Sequence, residues 1–119
     1  MKTKNCRVRT EDLKAGRVIY VSHPIFGIVE HQVKSKPFYS WPGMFIKVET
    51  HISGRTYDGM ASIHDMGITR GESYNYRRTF FKRKQAEEWG AKMRTDPGFI
   101  KQYKAHCESI KELSWSTEL

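Results

Sequence analysis

The chain has 119 residues, which is enough for one hydrophobic core and too few for two, so a single domain over 1–119 is expected. Hydrophobic residues make up 38% of it, and three tryptophans, six tyrosines and six phenylalanines exclude a disordered chain, which could not bury that much ring surface. Twenty-one Lys and Arg against 13 Asp and Glu leave a net charge of +8, which favours polyanions, anionic membrane surfaces or acidic proteins as partners.

After a charged N-terminal stretch, 17–21 is β-branched and aromatic and reads as a first strand. His23 and Pro24 break it, because proline pushes its predecessor out of the helical region. Residues 26–34 then alternate as a second strand, with Val29, His31 and Val33 on one face. Two prolines, a glycine and the rings of Phe38, Tyr39 and Trp41 make 35–43 an ordered loop. From Met44 the period of two is clearest: Met44, Ile46, Val48, Thr50 and Ile52 share one face, and Lys47, Glu49 and His51 the other. Ser53 and Gly54 predict a hairpin turn, and the chain returns through 55–63 with Tyr57, Ala61 and Ile63 in register. A further strand over 73–81 closes the sheet.

The pattern then changes to helical spacing. Ala86, Trp89 and Met93 predict a helix over 82–94. Asp96 and Pro97 are a cap and a first helical residue, and Phe99, Tyr103, His106 or Cys107, Ile110 and Leu113 form an apolar stripe on a second helix. The expected class is therefore α+β: a strongly bent antiparallel sheet of about five short strands in a β-rich part, 1–81, followed by two helices forming a cap, 82–119. Which sheet face is buried stays open.

Leu13 to Gly16, the strand Val18 to Val21 and the return through Phe26, Gly27, Ile28 and Val29 resemble the first hairpin of SH3-like small barrels, over about residues 10–65. The resemblance implies a bent sheet whose loops present a binding surface. In charge, size and lack of household-enzyme motifs the chain is also similar to the small accessory proteins of bacteriophages.

The densest chemical feature is the segment from Tyr74 to Lys84, where Tyr74, Tyr76, Phe80 and Phe81 interleave with Arg77, Arg78, Lys82, Arg83 and Lys84. Cations neutralise phosphates and rings stack on unpaired bases, at about 1–3 kcal/mol per base. The leading expectation is a non-enzymatic nucleic-acid-binding protein that uses this segment with Lys2, Lys4, Arg7 and Arg9. The competing structural reading makes Tyr74, Tyr76 and Phe80 core residues with the charges as a solvated rim. Cations at the start of a helix oppose its dipole, which favours the functional reading.

A second class is a protein-interaction module, for instance an inhibitor that occupies a host protein, with Phe38, Tyr39, Trp41 and Phe45 as anchors. An exposed aromatic loop favours that class, whereas Tyr76 and Arg77 exposed on a bare sheet favour nucleic acid. A third, a small metal-free nuclease, requires His31 and His51 to be neighbours.

His64 and Asp65 read as a turn, and the adjacent His106 and Cys107 cannot share a helix face as metal ligands. No metal site, cofactor motif or catalytic residue is expected. Cys6 and Cys107 lack the paired spacing of a disulfide framework, and the basic start is followed by no apolar stretch, so a cytoplasmic location without membrane insertion is expected.

Overall fold

The computed structural model describes residues 8–68 and 76–118, with side chains described as far as 109. Its elements are β1 (Val18–His23), β2 (Gly27–Val33), β3 (Phe38–Ser40), β4 (Gly43–Ile52), β5 (Arg55–Ser62), β6 (Arg78–Phe80), α1 (Arg83–Arg94) and α2 (Pro97–Glu118). The six strands form one curled antiparallel sheet and the two helices follow it, an α+β architecture.

β4 organises the sheet. One of its edges pairs with β5 from Phe45↔Ser62 to Ile52↔Arg55. Its other edge is shared: Gly43 to Phe45 pair with β3, and Val48 to His51 pair with β2. β1 lies between β2 and β6. The β4–β5 turn places Ser53 and Gly54 at φ of 53° and 76°, which suits a two-residue turn matched to strand twist.

The period of two sorts the faces. Ile19, Val21, Val33, Ile46 and Val48 point to one side, where Val8, Leu13, Ile63, Met66 and Ile68 complete a buried cluster. Each such aliphatic side chain contributes about 1.5–3 kcal/mol by leaving water. Tyr20, Ser22 and Phe80 point to the other side, and α1 covers them. Ala86 and Gly90 are buried there, the Ser22 hydroxyl donates to the Ala86 carbonyl at 3.1 Å, and the Phe80 and Trp89 rings lie 6.0 Å apart. β1 is thus buried on both faces, and the question of which face is core has a local answer: both, at β1.

α2 starts where its capping residues direct. Asp96 Oδ1 accepts the N–H of Gly98 at 2.8 Å and of Phe99 at 3.3 Å. Phe99 is buried and stacks on Tyr103, centroids 5.6 Å apart. Among the described residues no helix is long and apolar enough to cross a membrane.

Two expectations require correction. The loop over 35–43 contains a strand: Phe38↔Phe45 and Tyr39↔Met44 pair across a hairpin, and its three residues are too few, between two prolines, to show a period. The last strand is Arg78–Phe80 rather than 73–81. Tyr76 has a φ of 61°, a left-handed conformation that cannot continue a strand, while 73–75 lie outside the described residues.

Candidate interaction surfaces

In the basic and aromatic segment two of the five cations are engaged with rings. The Arg78 guanidinium lies over Trp89 at 5.4 Å, and that of Arg83 over Tyr20 at 5.3 Å. Upstream, Arg17 covers Phe81 at 4.6 Å. Arg83 also reaches Glu30 at 3.5 Å. Contacts of this kind contribute about 0.5–1 kcal/mol at exposed sites. The interleaving of charge and ring therefore joins the sheet to α1, a role the sequence pattern alone could not separate from base stacking.

Tyr76 is half-buried, with its ring edge-on to Phe99, Tyr103 and His106 at 5.3–5.7 Å. It lies outside β6, so strand alternation does not place it on a sheet face with Arg78 and Phe80. Arg77 is half-buried as well. Lys82 and Lys84 stand exposed at the start of α1, whose first turn holds no acid and whose N-cap, Lys82, makes no side-chain cap. Arg9 is exposed and pairs with Glu11 at 3.6 Å and Asp12 at 3.5 Å. Tyr74, Lys2, Lys4 and Arg7 lie outside the described residues.

A cleft of about 410 Å³ opens between β6 and the two helices, lined by Tyr76, Arg77, Arg78, Trp89, Phe99 and Gln102 among others. Rings and guanidiniums together suit a planar or anionic group.

The second predicted surface is the β3–β4 hairpin. Trp41 at its tip is 83% exposed and Tyr39 is 65% exposed. Tyr39 stands opposite Met44, also exposed, while Phe38 and Phe45 face each other half-buried on the reverse side. The four expected anchors thus divide into two that support the hairpin and two that project. Ser35 positions the entry, because its Oγ accepts the Lys47 N–H at 3.0 Å.

The hairpin between β1 and β2 carries a feature the sequence reading passed over. Phe26 is 72% exposed and Ile25 is exposed beside it. Two large apolar residues between Pro24 and Gly27 were the available signal, since such a turn has no core to enter.

The histidine pair of a nuclease is not assembled. In the β2–β4 register His31 stands opposite Thr50 and His51 opposite Glu30, so the two imidazoles project from opposite faces of the sheet. His31 Nδ1 bonds to Thr50 Oγ1 at 2.8 Å and burial lowers its pKa. His51 lies 3.8 Å from Glu49. His64 and Asp65 are in a turn, as expected. Among the described residues no cluster of three or more His, Cys, Asp or Glu could hold a metal ion.

Compared with known proteins, residues 7–93 match the family model described as Phage g100-like protein. That span takes in the whole sheet and most of α1, and leaves α2 outside. No curated protein and no solved structure matches the chain.

Proposed function

Because the chain belongs to the Phage g100-like protein family, we propose that it is a phage accessory protein, a non-enzymatic binding module that docks on an acidic protein partner through the β3–β4 hairpin. The observation that carries this is the exposure of Trp41 and Tyr39, flanked by Met44, at a hairpin tip held by its own cross-strand pairs. Exposed tryptophan and tyrosine on a rigid support are the residue types that dominate binding energy at interfaces. The net charge of +8 would speed encounter with an acidic surface. A curled sheet that presents hairpins at its ends supports the same reading, in line with the small-barrel resemblance.

One observation favours nucleic acid as a second reading: the ring- and arginine-lined cleft, together with the exposed Lys82 and Lys84. Two measurements separate the readings. A photoreactive phenylalanine analogue at position 41 should give one discrete protein adduct in infected-cell lysate, lost in Tyr39→Ala, while the same group at exposed Lys101 gives none. Fluorescence anisotropy should show no tight binding of labelled single- or double-stranded DNA or RNA. Tight oligonucleotide binding with a steep salt slope, flattened in Lys82→Gln/Lys84→Gln, and no adduct from position 41 would reverse the order of the two readings.

A further inference from the structure

Among the described residues β5 is an edge strand, paired with β4, whose outer side carries no further strand. Arg55 to Met60 are all exposed.

The hydrogen bonds of β4 fix which groups of β5 point outward. Lys47 N and O bond toward Ser35 and Lys34, on the β2 side of β4, whereas the Met44 carbonyl accepts from Ile63 N on the β5 side. Even-numbered β4 residues therefore bond to β5. In the one-to-one register from Phe45↔Ser62 to Ile52↔Arg55 their partners are odd-numbered. The β4–β5 turn agrees, since a two-residue turn is closed by a hydrogen-bonded pair, here Ile52 and Arg55. It follows that Thr56, Asp58 and Met60 direct their N–H and C=O groups away from the sheet.

Natural sheets blunt such edges with lysine, proline or a bulge. Residues 55–62 contain no lysine and no proline, and the register has no bulge. The strand also presents apolar surface on both of its faces, with Tyr57 49% and Met60 54% exposed. Within a chain of net charge +8, its Arg55 and Asp58 cancel.

We propose that the outer edge of β5 is a self-association surface, on which a second copy of the chain adds its own β5 antiparallel about a two-fold axis. A two-fold axis normal to a sheet lets an edge match itself with every side chain kept on its own face. The outward groups restrict the register. Centring on Asp58 would set like carboxylates opposite each other, which destabilises. Centring on Tyr57 sets Thr56 opposite the partner's Asp58, and each such pair exchanges two backbone hydrogen bonds. The Tyr57 rings then meet at the axis, at the end of the strand away from the core.

The contact is small beside the roughly 1,200–2,000 Å² of a stable interface, so the dimer is weak and concentration-dependent. Two molecules of charge +8 repel outside this locally neutral edge, so added salt strengthens the pairing. That sign is opposite to the one expected for an acidic or nucleic-acid partner.

The test is sedimentation equilibrium of the full chain from low micromolar to near-millimolar concentration, at low and at high NaCl. The expected result is a monomer–dimer equilibrium that shifts to dimer with salt. Asp58→Lys and Asp58→Pro should each weaken it at least ~10-fold, and Trp41→Ala should leave it unchanged. Lysine there faces Glu49 across the hairpin and proline removes an N–H that β4 does not use, so both variants keep the fold. A chain that stays monomeric throughout overturns the proposal. So does a dimer that salt weakens, or one indifferent to both Asp58 variants.

Discussion

His23 shows how one side chain couples the turn, the sheet and α2. Its Nδ1 accepts the N–H of Ile25 at 3.0 Å and of Phe26 at 3.1 Å, and its ring packs on Phe26 at 4.4 Å and Tyr103 at 5.7 Å. Both hydrogen bonds require Nδ1 to be unprotonated. Burial lowers its pKa to about 4, with the Arg77 charge acting in the same direction. The unfolded chain, with its histidine near 6.5, binds the proton first, so this contribution to stability is complete above pH ~6.5 and is lost as pH falls toward 4. Burial lowers His31 too, and its contribution has the same sign. Thermal unfolding should therefore show Tm flat above neutrality and falling through that window. His23→Asn, whose side-chain oxygen can still accept from the turn, should reduce the slope without a matching loss at pH 8.

The helices are the elements whose sequence signals are most local, and they follow them most closely. The Asp96 carboxylate satisfies two N–H groups at the start of α2, so Asp96→Ala should cost about 0.5–2 kcal/mol, read as a lower Tm with loss of helical circular dichroism. Asp96, Pro97 and Phe99 were legible as start and anchor because capping needs only neighbours within three residues. The alternation of β4 and the Ser53–Gly54 turn were legible for the same reason. What the sequence hid depends on distant partners. β3 exists because Phe38 and Tyr39 find Phe45 and Met44, not through any propensity of three residues. The segment ending at Lys84 has the composition of a base-stacking strip, yet Trp89, Tyr20 and Phe81 take up Arg78, Arg83 and Arg17, and no reading of 74–84 alone contains those three choices. Tyr39 and Trp41 are among the four expected anchors, but only the β3–β4 register separates this projecting pair from the supporting Phe38 and Phe45.

At the scale of the whole molecule, charge is the least compensated quantity. The described ion pairs, Arg9 with Glu11 and Asp12, Lys34 with Glu49 and Arg83 with Glu30, each include a well-exposed cation and are worth about 0–1 kcal/mol apiece. Cation–ring contacts fix positions without removing charge. The chain carries a net charge of +8, and self-repulsion opposes compactness. At 0.1 M salt the screening length is about 10 Å, so Tm should rise with NaCl from low to moderate concentration. Lys82 allows charge to be separated from capping. It is the N-cap of α1 without a side-chain bond, ahead of a first turn that contains no acid. Lys82→Ser supplies a cap at one unit less charge, and Lys82→Asp supplies a comparable cap at two units less, +6 in place of +8. Both variants should raise Tm at high salt by similar amounts, because capping is local. At low salt Asp should exceed Ser, because both the dipole and the net charge favour it there. Equal gains at all salt concentrations would mean that the cap alone matters and that the +8 charge is carried without cost to the fold.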